Sequence, residues 1–352
     1  MQAVNKADYT EDVPRDRIEL VERLAALHGG TVMFVGNVDS GKTTAVKFVA
    51  RSLWELGRSV AVVDSDIGQK SLLPPATVSL ALVDGSSGSV EPKPLAHYFI
   101  GTTTPSQHLA EMVVGVGRLW EIGSKVADYI LIDTTGYVRG AGAELKRLKM
   151  ELIKPDVVAI VGDDNGLAAL AARFSDVVVL ERSPRAKRHS PGERREIRKA
   201  KWREYFSPSR YVEVDVHEMR ISGTSLFSGR AITKEEAELL SRLCDWVVLA
   251  GWESDGVYTV VKAGEDRKPC SRSVLRAVDF ETLSNLLVGF IDGNGLCLGL
   301  GIIKWPRLSE GKLEILTPLS EDELSKAEEL RFGRIRVTEG GEELGLIRRE
   351  EL

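Results

Sequence analysis

The sequence is poor in cysteine and has no long apolar run. Its 352 residues include three cysteines, Cys244, Cys270 and Cys297, too widely spaced for a zinc site or a redox motif. No apolar run approaches the ~18 residues of a membrane-spanning helix, and residues 1–8 lack the basic start and apolar stretch of a secretory signal. We therefore expect a cytoplasmic protein with reduced thiols and no membrane association.

A general excess of basic residues is also missing. The net charge is −5, which argues against a protein that coats nucleic acid along its whole surface. Hydrophobic residues make up 43% of the chain and charged residues 28%, which is typical of a globular protein with a large core. The length predicts two domains.

Basic residues are nevertheless concentrated in one segment, residues 182–203, where only Glu193 and Glu196 oppose them. Its basic residues are Arg182, Arg185, Lys187, Arg188, Arg194, Arg195, Arg198, Lys199, Lys201 and Arg203. Such a run is either a solvated helix face or a surface for phosphates. Its position relative to any phosphate site has to decide between the two.

The order of apolar patterns predicts the fold class. Residues 1–30 read as a polar arm and an amphipathic helix that ends at a glycine pair. Continuous apolar strands at residues 31–35, 60–63, 129–132, 157–161 and 177–180 then alternate with helical stretches. This alternation predicts a three-layer α/β domain with a parallel sheet over residues 31–215.

The pattern changes after residue 215. One helix at about 233–243 precedes short β-rich runs separated by glycine turns. The runs cover residues 246–250, 257–262, 287–291, 296–304, 312–316 and 335–337. They predict a small antiparallel β-rich domain over residues 216–352, for which a barrel is one arrangement.

A phosphate-binding loop follows the first predicted strand. Gly36-Asn37-Val38-Asp39-Ser40-Gly41-Lys42-Thr43 fits the pattern G-x-x-x-x-G-K-[ST] and leads into a predicted helix. Glycines let the backbone N–H groups turn inward around an anion, beside the positive end of the helix. Lys42 is expected to reach the β- and γ-phosphates of ATP, and Thr43 to ligate Mg²⁺. The α/β domain is therefore predicted to be a P-loop NTPase domain.

Two carboxylates follow other strands of this domain. Asp133 closes the strand at 129–132 and precedes Thr134-Thr135-Gly136, the position expected for a residue that supports Mg²⁺. Asp66 follows the strand at 60–63. Because ligands bind at the carboxyl ends of parallel strands, Asp66 is a candidate for the base that accepts the proton of an attacking hydroxyl. These features favour a kinase, with the basic segment as a lid that stabilises the transferring phosphoryl group.

A GTPase should also carry Asn-Lys-x-Asp to read guanine. Asn5-Lys6-Ala7-Asp8 matches, but it precedes the loop and has no buried strand before it, so we interpret the match as coincidental. The strand at 157–161 ends in Gly162-Asp163-Asp164-Asn165, which lacks the lysine.

These motifs together resemble the polyribonucleotide 5′-hydroxyl kinases, which include the kinase subunit of the pre-mRNA cleavage factor, nucleolar pre-rRNA kinases and archaeal single-chain relatives. The resemblance spans residues 31–206 and rests on five motifs. They are the loop at 36–44, Asp66-Ile67-Gly68-Gln69, Gly101-Thr102-Thr103-Thr104-Pro105, Asp133-Thr134-Thr135-Gly136-Tyr137, and Arg194-Arg195-Glu196 followed by Arg203-Glu204-Tyr205-Phe206. A family tryptophan is Tyr137 here, and a lid arginine falls at His189, so Arg188 is expected to replace it.

The resemblance implies ATP-dependent phosphorylation of the 5′-hydroxyl end of RNA, with DNA as a further acceptor, in RNA processing with protein partners. It implies these roles: nucleotide binding by residues 36–44, including Thr44; Mg²⁺ at Thr43 and Asp133; catalysis by Lys42, Asp66, Arg194 and Arg188; and nucleic-acid contacts from Gln69, Thr104, Pro105, Gln107, Tyr137 and Arg195. An ATP-binding scaffold with little turnover is the main alternative, and a GTPase comes third.

Overall fold

The computed structural model describes residues 14–85, 90–183, 186–264, 273–348 and 352. The chain divides into two compact units, Met1–Arg198 and Lys199–Leu352. The Asn5-Lys6-Ala7-Asp8 segment, Arg185 and Cys270 lie outside the described residues. Over the described ranges, no helix is long and apolar enough to cross a bilayer.

The first unit alternates strands and helices. Its strands are β1 (Gly30–Val35), β2 (Val60–Ser65), β3 (Thr77–Asp84), β4 (Glu91–Phe99), β5 (Tyr129–Thr134), β6 (Val157–Val161) and β7 (Asp176–Leu180). Its helices are α1 (Arg15–Leu27), α2 (Lys42–Glu55), α3 (Leu109–Gly123), α4 (Ala141–Ile153), α5 (Asn165–Ala171) and α6 (Pro191–Phe206), with a 3₁₀ turn at Pro105–Gln107. The end of α6 belongs to the second unit.

The seven strands form one sheet in the order β4-β3-β2-β5-β1-β6-β7. Strands β2, β5, β1, β6 and β7 are parallel to one another, as the continuous apolar runs predict. The registers place Asp133 of β5 beside both Phe34 of β1 and Asp64 of β2. The phosphate loop and the two carboxylate-bearing strand ends therefore lie at the same edge of the sheet.

Helices cover both faces of this sheet. Residues Val62 and Leu131 belong to a core cluster with α1 and α2. Their alternate neighbours Ala61 and Ile130 face α3, where a Cβ on Gly123 would lie 3.6 Å from each. Because successive side chains of a strand point to opposite faces, α3 lies across the sheet from α1 and α2, and the predicted three-layer arrangement is confirmed.

Strands β3 and β4 were not predicted. They form an antiparallel hairpin at the edge of the sheet, with β3 antiparallel to β2. The edge strand β4 is largely exposed and contains Pro92 and Pro94, so it has no apolar run, and edge strands tolerate proline. Since β4 runs in the same direction as β2, the segment that follows it at residue 100 starts at the edge that carries the phosphate loop.

The second unit is rich in β-strands, as predicted. Its strands are β8 (Arg210–Asp215), β9 (Arg220–Ser222), β10 (Arg230–Ala231), β11 (Val247–Ser254), β12 (Val257–Ala263), β13 (Leu275–Asp279), β14 (Leu286–Ile291), β15 (Cys297–Arg307), β16 (Lys312–Thr317), β17 (Glu329–Val337) and β18 (Glu343–Leu346). Its helices are α7 (Lys234–Cys244), α8 (Phe280–Leu283) and α9 (Glu321–Leu324), with a 3₁₀ turn at Leu308–Glu310.

These strands form two sheets. One has the order β10-β11-β12-β13, and the other has the order β18-β17-β14-β15-β16-β8, with β9 added beside β17. Most pairs are antiparallel, but β12–β13 and β9–β17 are parallel. The boundary was predicted after residue 215, whereas the second unit begins at Lys199 and includes β8, which pairs with β16.

Within the second unit, the Tyr205 hydroxyl at the end of α6 makes a hydrogen bond to the main chain of β15. The Leu300 N–H of β15 donates to the Tyr205 hydroxyl at 2.8 Å, and burial raises the pKa of Tyr205 above its ordinary value. Tyr205→Phe removes the acceptor and leaves a buried N–H without a partner. We expect the free energy of unfolding of this unit to fall by about 1–3 kcal/mol, measured by hydrogen exchange of β14 and β15 amides.

Tyr211→Phe is the matched control, because the exposed Tyr211 hydroxyl bonds to Glu339 at the surface. This change should alter the unfolding free energy by less than about 0.5 kcal/mol. Equal effects of the two substitutions would contradict the structural importance of the Tyr205 hydroxyl.

Candidate active site

The phosphate loop runs from the end of β1 to the start of α2. Gly41 adopts φ 95°, in the left-handed region that favours glycine. A Cβ on Gly36 would lie 2.5 Å from the Val161 carbonyl oxygen of β6, so only glycine fits there. The predicted nucleotide-binding residues 36–44 thus form this loop and the first turn of α2, which provides inward-facing amides and the positive end of a helix.

Two polar groups of the loop, the Lys42 ammonium and the Ser40 hydroxyl, are placed to bind phosphate. Lys42 is 6% exposed, and its Nζ donates to the Asn37 carbonyl oxygen at 2.8 Å, which holds the ammonium across the loop. Burial lowers the pKa of Lys42, while the carboxylates of Asp133, Asp66 and Asp39 oppose that shift. The buried Ser40 Oγ has no hydrogen-bond partner among the described residues. Phosphate oxygens would satisfy both groups.

The residues predicted for Mg²⁺ are brought together. The Thr43 hydroxyl donates to Asp133 Oδ2 at 2.6 Å, although the two residues are 90 positions apart. Asp133 Oδ1 is buried and has no hydrogen-bond partner within the described part of the chain. Burial, together with the nearby Asp64 carboxylate, raises the pKa of Asp133 to about 7. A hydroxyl and an orphaned carboxylate oxygen are ligands that suit Mg²⁺.

Asp66 stands one strand away, just beyond β2. Its Oδ1 accepts from the N–H groups of Gly68 at 3.2 Å and Gln69 at 3.0 Å, so these two amides fix the carboxylate in a tight turn. Burial raises the pKa of Asp66, although the Lys42 ammonium opposes the shift. An oriented carboxylate with a raised pKa suits a general base.

Asp64 organises the turn that carries Asp66. Its Oδ1 accepts from the Asp66 N–H at 3.1 Å, and its Oδ2 accepts from the Ser71 N–H and hydroxyl, both at 2.8 Å, and from the Leu72 N–H at 3.0 Å. Burial alone would raise the pKa of Asp64, but Lys70 and these hydrogen bonds lower it. The turn from 64 to 72 is thus built around one ionised carboxylate.

The segment after β4, which contains several of the residues predicted to contact nucleic acid, lies next to the Asp66 turn. A Cβ on Gly68 would lie 3.1 Å from the Thr103 carbonyl oxygen, so the Asp66 turn lies against the segment that follows β4. Thr104 and Gln107 are exposed, Pro105 and Gln69 are partly buried, and the 3₁₀ turn they border packs near α3 and α4. Their role in binding a strand stays a prediction.

Tyr137 follows the Asp133 segment and packs against the start of α4. A Cβ on Gly142 of α4 would lie 2.8 Å from its Cγ, so a glycine makes room for the ring. Gly136, directly before Tyr137, packs on the phosphate loop, where a Cβ would lie 2.6 Å from the Val38 nitrogen. The segment after β5 therefore contacts the loop directly.

The lid segment reaches the loop through His189 and Arg194. The His189 N–H donates to Asp39 Oδ2 at 2.9 Å, and Arg194 Nη1 donates to the same oxygen at 3.1 Å. Arg188, expected to replace a family arginine, is exposed, and Arg195 is exposed on α6. His189 thus contacts the loop through its main chain, while the roles of Arg188 and Arg195 stay predictions.

Three buried lysines bond to residues at or next to the strand ends of the site. The sequence analysis did not predict them. Lys146 Nζ donates to the Thr135 carbonyl oxygen at 2.8 Å and to its hydroxyl at 3.0 Å. Lys149 Nζ lies 3.0 Å from Ser65 Oγ, and Lys70 Nζ donates to the Asp64 carbonyl oxygen at 2.6 Å. A signal existed in α4, where both lysines share a face with Leu145, Met150 and Ile153.

Lys149 gives a test of this buried arrangement. Burial lowers its pKa to about 7, so the unfolded chain binds one more proton than the folded chain between pH 7 and 10. Stability from this group should therefore rise with pH in that window, by about 1.4 kcal/mol per pH unit. In Lys149→Met the slope should be smaller by this amount, since the other buried lysines keep their own contributions, as measured by urea pulse proteolysis of the intact chain at pH 7, 8 and 9.

Lys125→Met is the control, since Lys125 is exposed and pairs with Glu121 on the surface. It should leave the pH slope of stability unchanged. If Lys149→Met keeps the wild-type slope, Lys149 titrates like an exposed lysine and the buried arrangement is wrong.

Comparisons with known proteins agree with this geometry. The profile of the family described as mRNA cleavage and polyadenylation factor CLP1 P-loop matches residues 36–208. A polyribonucleotide 5′-hydroxyl-kinase of Thermococcus kodakarensis is 53% identical over 99% of this chain and 100% of its own, and one of Methanocaldococcus jannaschii is 42% identical over 99% of each. The fold resembles that of wild-type Clp1p solved in complex with Pcf11p, at TM-score 0.59 and 12% identity over 92% of this chain and 79% of the other. This chain belongs to the polyribonucleotide 5′-hydroxyl-kinase family.

Proposed function

We propose that this chain transfers the γ-phosphate of ATP to the 5′-hydroxyl end of an RNA strand, with DNA as a further acceptor. The observation that carries the proposal is the arrangement of one sheet edge, where β1, β2 and β5 present the phosphate loop, Asp66 and Asp133 side by side. The full-length similarity to polyribonucleotide 5′-hydroxyl kinases supports the choice of acceptor.

The loop binds the triphosphate. Its amides and the Ser40 hydroxyl donate hydrogen bonds to the phosphate oxygens. The Lys42 ammonium leaves the Asn37 carbonyl oxygen and binds phosphate oxygens instead. Thr43 and Asp133 would hold Mg²⁺, which when bound neutralises charge on the β- and γ-phosphates. Both groups are fixed before the nucleotide arrives, because Asp133 lies in a buried strand.

Asp66 accepts the proton of the terminal 5′-hydroxyl. The oxygen that the Gly68 and Gln69 amides do not engage is the one available for this hydrogen bond. As the hydroxyl oxygen bonds to the γ-phosphorus and the bond to the β-phosphate oxygen breaks, the proton passes to Asp66. Arg194 stabilises the charge that develops on the transferring group.

The proposal is tested by incubating the protein with γ-labelled ATP and a 5′-hydroxyl RNA oligonucleotide, and separately with DNA. We expect label on the RNA, and none when Lys42→Ala replaces wild type, because the β- and γ-phosphates lose their cation. Label released to water would instead indicate a nucleotide hydrolase, and no release would indicate a scaffold. Near wild-type transfer by folded Lys42→Ala would contradict the phosphate-site assignment.

Asp66→Asn tests the base. The amide keeps the size of the side chain but is not a proton acceptor, so transfer should slow at least ~100-fold while ATP affinity stays within a few-fold of wild type. Steady-state rates and calorimetric ATP titration measure the two effects. Asp176→Asn, at the exposed first residue of β7, should change neither. Weak ATP binding with an unchanged maximal rate would make Asp66 a nucleotide ligand instead.

A further inference from the structure

An acidic side chain inside the phosphate loop is physically unexpected. Asp39 stands between Val38 and Ser40, with a φ of 56° that directs the chain around the anion site. Its carboxylate acts electrostatically on Lys42, the residue that reaches the phosphates. A negative charge at that place repels a triphosphate, unless another group neutralises it.

The lid neutralises this charge with several contacts. Arg194 Nη1 lies 3.1 Å from Asp39 Oδ2, which also accepts the His189 N–H at 2.9 Å. His189 Nδ1 lies 3.4 Å from Oδ1. Arg194 Nη1 in addition donates to the His189 carbonyl oxygen at 2.6 Å. Both oxygens of Asp39 therefore face lid residues about 150 positions away in the chain.

This contact differs from an ordinary surface ion pair. Exposed pairs contribute only about 0–1 kcal/mol, because water competes and two long side chains lose freedom. Here the Asp39 side chain is 15% exposed and the Arg194 side chain 25% exposed, and a main-chain N–H shares the carboxylate. A partly desolvated pair with a shared donor has a larger coupling than a surface pair.

We propose that Asp39 is a positioning residue whose pairing with Arg194 sets the affinity of the loop for the nucleoside triphosphate. Asp39 anchors Arg194 beside the phosphates, and Arg194 cancels the charge that Asp39 would otherwise present to them. This inference rests on the proposed ATP binding and adds to it a determinant that lies outside the amide cradle and Lys42.

The pairing predicts opposite effects for its two members. Arg194→Met keeps most of the side-chain length but exposes the Asp39 charge, so ATP affinity should fall at least tenfold. Asp39→Asn removes the charge and suits the left-handed backbone. It should leave ATP affinity equal to or better than that of wild type, while the maximal transfer rate falls several-fold because Arg194 loses its anchor.

The double variant Asp39→Asn/Arg194→Met is decisive. With no charge left to expose, its ATP affinity should recover to within about threefold of wild type, which is at least threefold tighter than that of Arg194→Met alone. Calorimetric titration of Mg–ATP into the four full-length proteins measures this cycle, with thermal unfolding as the check on folding. Arg173→Met, an exposed arginine of the same unit, controls for the loss of one positive charge and should bind ATP as wild type does.

Additive effects, with the double variant binding as weakly as Arg194→Met, would overturn the proposed pairing. So would a loss of affinity in Asp39→Asn as large as that in Arg194→Met. The cycle measures binding alone, so ATP binding without transfer to RNA would overturn the proposed acceptor and still decide the pairing. Conversely, normal transfer with an additive cycle would overturn only the pairing.

Discussion

Burial of charge at one sheet edge is the constraint on which the rest of the site depends. Four lysines and two aspartates there are at most 6% exposed: Lys42, Lys70, Lys146, Lys149, Asp64 and Asp133. A buried charge without a partner costs several kcal/mol, so every ammonium must lie against an oxygen. The oxygens are those of Asn37, Asp64, Thr135 and Ser65. Three of these four belong to the ends of β2 and β5 or to the residue that follows, so satisfying the lysines also fixes the strand ends.

This constraint suits phosphoryl transfer, which needs positioning and electrostatic stabilisation more than covalent chemistry from the protein. The Ser65 hydroxyl links the two strands by donating to the Asp133 carbonyl oxygen at 2.7 Å while it contacts Lys149. The two strand ends that lead to Asp66 and carry Asp133 therefore cannot shift independently. Burial also raises the pKa of Asp66, and a carboxylate with a raised pKa is the stronger proton acceptor once it is ionised.

The features predicted best are those formed by residues that are contiguous in the sequence. The phosphate loop, the parallel strands and the carboxylates at their ends follow from local patterns, since a buried parallel strand reads as an unbroken apolar run. The β3–β4 hairpin was missed because an exposed edge strand with prolines carries no such signal. The buried lysines were missed for another reason. Lys146 and Lys149 share the apolar face of α4, but only their distant partners, Thr135 and Ser65, explain why a lysine is stable there.

The lid contacts the phosphate loop in two different ways. Where the family pattern has an arginine, His189 contributes its main-chain N–H to Asp39, and a main-chain donor cannot swing away. Arg194 contributes a charged side chain that faces the same Asp39 oxygen, and it also donates to the His189 carbonyl oxygen. Because two oxygens hold Arg194, one from the loop and one from the lid, its charge stays beside the loop carboxylate.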